Sequence, residues 1–308
     1  MTTDAMSDAD PIVKRLRTLS QDAPYLENTA RLYEAVLPLL RNADVRTGTV
    51  SLTPEQARSK MEMGLPLLHE LDLELDGQSV MDLVLRIAGS VEKLGKNEQS
   101  PPQGRSSHGP GTEARFIRLA IEENRLNIAD LLPDVAAGER SAVISAAQDL
   151  QLDAGLLWTF AHNALKPALR AWCRQLSPLA EGIHWYRGSC FICGAHAALG
   201  ELQGNNQAKH LRCSQCGADW LFRRLQCAYC GNEDHMTLGY LYSENQGDKF
   251  RVEVCEKCKG YLKVIAAFAP TPPEMLTVED LATLHLDYIA HERGYRRPGV
   301  YFEFCSSA

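Results

Sequence analysis

Residues 190–194 read Cys-Phe-Ile-Cys-Gly, 213–217 Cys-Ser-Gln-Cys-Gly, 227–231 Cys-Ala-Tyr-Cys-Gly and 255–260 Cys-Glu-Lys-Cys-Lys-Gly. Eight of the ten cysteines thus fall into four Cys-x-x-Cys pairs, three followed at once by glycine and the fourth by Gly260 one residue later. Two thiolates three positions apart converge on one metal when the backbone between them turns tightly. A following glycine supplies the left-handed conformation that such a turn needs. Amides in the turn point at sulfur and stabilise its charge. Nineteen residues separate Cys193 from Cys213 and 24 separate Cys230 from Cys255, each room for a hairpin that brings two knuckles together. Sequential pairing gives the ligand sets Cys190, Cys193, Cys213, Cys216 and Cys227, Cys230, Cys255, Cys258. A local hairpin closes at lower entropic cost, which favours this arrangement over interleaved pairing, though spacing leaves both open. Tetrathiolate ligation suits zinc and a single iron alike.

The residues around the knuckles are short and β-prone. Trp220–Phe222, Thr237–Tyr242, Phe250–Val254 and Tyr261–Ile265 are rich in aromatic and β-branched side chains, with turn-formers between them such as Gly231-Asn232 and Asn245-Gln246-Gly247. Antiparallel hairpins in two small modules, 184–226 and 227–268, are expected. With eight thiolates making two complete sets, His184, His196, His210 and His235 are expected at the surface or beside the ligands. Cys173 and Cys305 are expected as small buried residues. A Cys-x-x-Cys redox centre of the thioredoxin kind sits at a helix start in a βαβ unit, which this region lacks. No phosphate loop, dinucleotide fingerprint or hydrolase signature occurs, and a metal with four protein ligands offers no open position to a substrate. These features point away from an enzyme.

Outward from the cysteines, the pattern changes to helical. Val80, Leu83, Val84, Ile87, Val91 and Leu94 share one helix face, as do Leu32, Ala35, Val36 and Leu39. After Asp153, a plausible N-cap, Leu157, Phe160, Ala161, Ala164, Leu165, Ala168, Leu169 and Trp172 form a broad apolar stripe despite Pro167. Residues 1–180 therefore read as a helical domain, interrupted at 95–112 by a polar Pro/Gly/Ser stretch expected to be a mobile loop. Residues 269–308 read as a C-terminal segment with one short helix, started by Thr277 and Asp280, carrying Leu281, Leu284, Tyr288 and Ile289, and stopped by Gly294. The expected fold class is α with small metal-binding β modules: a helical domain, two rubredoxin-like or zinc-ribbon-like four-cysteine modules and a helical end.

The whole chain of 308 residues has 32 Lys+Arg against 39 Asp+Glu, a net charge of −7. That length accommodates about two domains. The first residues have neither a basic nor an apolar signal-like region, and no stretch of 18 apolar residues occurs, so neither export nor a membrane span is expected. Between His184 and Ile265 ten Lys/Arg face eight acids, and two divalent tetrathiolate sites would reverse that small excess. This is a poor footprint for nucleic acid.

One family carries this cysteine order. The stretch Trp185-Tyr186-Arg187-Gly188-Ser189-Cys190-Phe191-Ile192-Cys193-Gly194 resembles the FdhE proteins, accessory factors for formate dehydrogenase. So do Cys213-Ser214-Gln215-Cys216-Gly217 with Trp220 and Arg223, Cys227-Ala228-Tyr229-Cys230-Gly231, Cys255 to Lys263, and Asp280 to Asp287. Ala23-Pro24-Tyr25-Leu26 extends the resemblance weakly into the helical half. Phe191 departs from the proline common in the first knuckle, and 95–112 looks like an insertion; neither touches a ligand. The resemblance implies rubredoxin-like modules with iron favoured and zinc the alternative, and a cytoplasmic, non-catalytic factor. Its partner would be the catalytic subunit of a respiratory formate dehydrogenase, bound before export. The rival readings are a zinc-ribbon nucleic-acid binder and a dithiol redox protein.

Overall fold

The computed structural model describes residues 10–95, 109–243 and 249–298. Their helices begin with α1 (Pro11–Asp22), α2 (Glu27–Arg41), α3 (Pro54–Glu62), α4 (Gly77–Gly95), α5 (Pro110–Glu122), α6 (Leu132–Ala137), α7 (Ser141–Leu150) and α8 (Ala154–Leu176). The described residues fall into two units, one drawn from 1–49 and 73–171, the other from 50–72 and 172–308. The helical stretch 1–180 is therefore discontinuous. Residues 50–72 leave it because their backbone is bonded elsewhere: Leu67 and Leu68 N–H donate to the carbonyls of Phe191 and Ile192 at 2.7 and 3.0 Å.

In the first unit the apolar faces meet as the 3.6-residue period requires. Val80, Leu83, Val84, Ile87 and Val91 of α4 are buried. The α8 stripe from Leu157 to Leu169 is buried too, as is Trp172 just across the boundary into the second unit, with Asp153 Oδ1 accepting from Leu156 N–H at 2.6 Å as the N-cap. On α2 the face is rotated from the one the spacing picked. Ala30, Val36, Leu37 and Leu40 are buried, while Leu32, Ala35 and Leu39 are only half-buried. Of the stretch 95–112 read as a loop, residues 96–108 lie outside the described residues. Gly95 closes α4, and Pro110 to Thr112 form the first turn of α5, where proline has no amide to lose. A Cβ on Gly111 would stand 2.7 Å from Gly95 Cα, so at this point the two helices meet glycine to glycine.

The second unit is built on one six-stranded sheet: β1 (Leu199–Gln203), β2 (Ala208–Arg212), β3 (Asp219–Leu221), β4 (Leu238–Leu241), β5 (Phe250–Cys255) and β6 (Tyr261–Ala267), in the order β3-β2-β1-β6-β5-β4. Four pairings are antiparallel, but β1 and β6 run parallel, with Gly200 opposite Val264. The stretches 184–226 and 227–268 are thereby fused into a single sheet rather than standing as two separate hairpins. Gly200 permits the close approach, since a Cβ there would meet Val264 at 3.0 Å. The expected single C-terminal helix is two, α9 (Leu276–Ala282) and α10 (Leu284–Glu292). The break is at buried Thr283, whose hydroxyl donates to the Glu279 carbonyl at 2.8 Å. Met275, without a side-chain cap, precedes α9 in place of the Thr277 box. Leu286 and Ala290 of α10 pack with Val252, Val254, Leu241 and Tyr261 of the sheet.

Much of this sheet's interior is charged. Lys209, Arg212 and Lys263 are almost fully buried. Arg212 donates to Glu201 at 2.6 Å and to the Thr271 carbonyl at 2.6 Å. Lys263 contacts Asp280 and Asp287 at 2.7 and 2.6 Å, and Lys209 pairs with Glu253. A buried cation is tolerated only with such partners, because the loss of either leaves an uncompensated charge away from water. Cys305 and the turn 245–247 lie outside the described residues.

Candidate metal centres

The four knuckles share one hydrogen-bond plan. In each, the amide of the first cysteine donates to the carbonyl five residues on: Cys190 to Ala195, Cys213 to Ala218, Cys227 to Asn232 and Cys255 to Gly260, at 2.8 to 3.0 Å. In three, the glycine after the second cysteine returns its N–H to the first cysteine's carbonyl. Gly194, Gly217 and Gly231 hold φ of +79, +82 and +70°. The fourth knuckle places Lys259, at φ +54°, in that position, with Gly260 beyond it. Turn amides reach the sulfurs as anticipated: Ile192 to Cys190 at 3.4 Å, Tyr229 to Cys227 at 3.4 Å, and Gly260 to Cys258 at 3.3 Å.

The structure gathers Cys190, Cys193, Cys213 and Cys216 into one group, and Cys227, Cys230, Cys255 and Cys258 into a second; within each, all sulfurs lie within 4.8 Å of one another. The grouping is sequential, not interleaved. Cys190 and Cys216 sulfurs are 3.5 Å apart, Cys193 and Cys213 3.6 Å, Cys227 and Cys258 3.7 Å, and Cys230 and Cys255 3.7 Å. A tetrahedron with metal–sulfur bonds of about 2.3 Å has edges of about 3.8 Å, whereas a disulfide needs about 2.05 Å. Each group therefore has the shape and the donor set to hold one metal ion.

Electrostatics point the same way. Burial, then neighbouring Cys193 and Cys213, pushes the Cys190 thiol well up, while side-chain hydrogen bonds from Cys190, Cys193 and Cys216 hold Cys213 well down. Burial acts to raise the Cys255 thiol, but the amides of Cys258 and Lys257 and the side chains of Cys230 and Asn232 outweigh it and bring it to about 7. Four thiols this close cannot all ionise unaided, and a cation among them removes the repulsion. Asn232, held by Thr237 Oγ1 at 2.7 Å, aims its amide at Cys255 Sγ at 3.6 Å.

The two groups are joined through Gly188, on the approach to the first knuckle. A Cβ there would lie 1.4 Å from Ala228 O, in the third knuckle. The His196 and Tyr229 rings, 5.7 Å apart, bridge the same gap. None of His184, His196, His210 or His235 enters either group. His184 stacks on Tyr186 and His210 pairs with Asp219.

Two contributors were not legible in the spacing. Residues 65–68 wrap the first knuckle, with Pro66 against Gly194. Cys173 of α8, buried as anticipated, lies 3.5 Å from Ser177 Oγ, and its thiol is held below the usual range chiefly by the Cys216 side chain, which makes it a fifth thiol beside the first group. Nothing in a lone cysteine 17 residues upstream of the first pair signals that position.

Comparison with known proteins places these features. Residues 225–302 match the family description "FdhE, C-terminal domain". A protein FdhE homolog of Stutzerimonas stutzeri is 32% identical over 197 residues, 61% of this chain and 63% of that relative. One from Aquifex aeolicus is 28% identical over 157 residues, 50% of this chain and 54% of the relative. The chain thus spans between about half and two thirds of the length of these curated relatives. The crystal structure of the FdhE protein from Pseudomonas aeruginosa is similar over 94% of this chain and 92% of that one, with TM-score 0.56 and 25% identity. With its two four-cysteine groups and its helical and sheet layout, the chain is similar to the FdhE proteins over the C-terminal domain and in overall fold.

Proposed function

We propose that this protein is a non-catalytic accessory factor that binds the catalytic subunit of a respiratory formate dehydrogenase in the cytoplasm and assists its maturation before export. The observation that carries the reading is the pair of closed tetrathiolate groups in a chain whose residues 225–302 match the FdhE C-terminal domain. Four cysteines per ion leave no coordination position for a substrate, so the groups act as staples or one-electron centres rather than hydrolytic ones. Among the described residues no helix is long and apolar enough to cross a membrane. Three of the ten basic residues between His184 and Ile265, namely Lys209, Arg212 and Lys263, face acids inside the sheet, which thins any phosphate-binding surface.

The eight paired cysteines are the ligands in this reading. Iron is the metal we assign, on the family resemblance, with zinc the alternative that would make both sites purely structural. Iron would supply one-electron chemistry; the chain's own part is to hold four thiolates and aim amides at them.

Anaerobic affinity capture from cells making the dehydrogenase tests the function. Nuclease-resistant recovery of the catalytic subunit supports it. Recovery of nucleic acid with no dehydrogenase overturns it in favour of a zinc-ribbon binder. Metal analysis and visible absorption of the same sample separate iron from zinc.

A further inference from the structure

The two groups are alike in donor set and unlike in surroundings. In the first, Cys190, Cys213 and Cys216 are at most 2% exposed and Cys193 is half-buried. The backbone of residues 65–68, the Phe191–Trp220 edge contact and Cys173 surround it. In the second, Cys230 and Cys258 are exposed at the surface. Its other two sulfur-bearing residues, Cys227 and Cys255, line a cavity of about 160 Å³ walled by Leu225, Tyr229, His235 and Tyr240. Solvent reaches this group at Cys230 and Cys258.

The fourth knuckle is also the weakest of the four in its backbone. Where Gly194, Gly217 and Gly231 take the left-handed conformation freely, Lys259 takes it against its own Cβ. Cys258, just before it, is therefore the sulfur on the most strained arm and one of the two most open.

We propose that the second centre is the one through which metal enters and leaves the protein, by ligand exchange with an external thiol, and that the first retains its ion. The inference rests on the metal-binding reading of the two groups. In the exchange, the incoming thiol's sulfur takes the coordination place of Cys258, and Cys258 Sγ leaves with the proton that thiol gives up. Charge and proton count are conserved, and no oxidant or reductant is required.

The test uses the full chain loaded with two equivalents of zinc. Excess 4-(2-pyridylazo)resorcinol with millimolar glutathione reports release by colour, while pulses of iodoacetamide followed by peptide mass spectrometry show which cysteines are freed. The expected result is one equivalent released about tenfold or more faster than the other, because exchange follows access. Alkylation during that phase should fall on Cys227, Cys230, Cys255 and Cys258. Lys259→Gly, which relieves the strain without touching a ligand, should slow the fast phase about fivefold. Two equivalents leaving in one phase, or fast alkylation of Cys190 to Cys216, overturns the proposal while leaving the ligand sets intact. A chain that takes up neither zinc nor ferrous iron overturns both.

Discussion

The α-helical unit and the sheet unit reach order by different routes. The first is held by matching apolar faces: Val80, Val84 and Ile87 on α4, and Ala114 and Ile117 on α5, are at most 2% exposed. In the second, the largest fully buried side chains include Arg212, Lys209 and Lys263, and beside an apolar cluster around Val252, Val254 and Leu286 the unit carries two clusters of four thiols. Apolar packing tolerates approximate partners, because burial is non-directional. Buried cations and thiolates do not, since each is costly unless its counter-charge is in place. The sheet unit should therefore fail abruptly when one partner is removed, and the helical unit gradually.

The largest effect that could break this contrast is metal removal. Structural tetrathiolate sites contribute on the order of 10 kcal/mol to the domain that holds them. Stripping the ions under reducing conditions should erase hydrogen-exchange protection across β1 to β6 while α4 and α5 keep theirs. Equal loss in both units would erase the distinction.

Next in size is Glu201→Ala. It leaves Arg212 buried with only the more distant carboxylate of Asp219, at 3.5 Å, and should cost up to about 3–5 kcal/mol in denaturant unfolding. Ile117→Ala on α5 should cost about 2–5 kcal/mol through the cavity it leaves. The two are distinguished by rescue. Adding Arg212→Met to Glu201→Leu should recover stability relative to Glu201→Ala, because the stranded charge is gone.

A smaller effect is acid sensitivity. Burial acts to raise Asp280, but Arg297 and Lys263 outweigh it and hold its carboxyl below the usual range; His210, Gln203 and Arg212 do the same for Asp219 against its own burial. A carboxyl lowered in the folded state stabilises fully above its unfolded pKa of about 4, and that contribution is lost as pH falls through the folded value. Asp280→Asn should flatten the stability profile below about pH 4 relative to the parent. Parallel profiles would show that the ion pairs to Asp280 contribute nothing to folding.

The smallest effect belongs to the helical unit. Asp10 caps α1 by accepting from Ile12 N–H at 2.9 Å and pairs with Arg41 at 2.7 Å. Asp10→Ala should cost about 1 kcal/mol by thermal unfolding.

The same contrast explains what the sequence disclosed. The knuckles, the α4 and α8 stripes and strands β3 to β6 were legible, because their residue types match their surroundings. Strands β1 and β2 were not: Leu-Gly-Glu-Leu-Gln and Ala-Lys-His-Leu-Arg look like surface, yet Glu201, Lys209 and Arg212 are buried and paired. A pair separated by eleven or more residues leaves no periodic trace. The parallel seam between β1 and β6 was hidden too, since spacing arithmetic rewards the nearest hairpin and says nothing of a strand returning 60 residues later. Residues 50–72 escaped for a related reason. Their attachment to the first knuckle runs through backbone amides, which every residue possesses.

The central claim is that eight cysteines form two sequential four-thiolate centres, each holding one ion. Anaerobic native mass spectrometry of the intact chain and of Cys258→Ser tests it most directly. Two ions in the parent, and one in the variant with the Cys190 group still protected from alkylation, is the predicted result. A parent without metal, or a Cys258→Ser chain that keeps two ions at full occupancy, would contradict it.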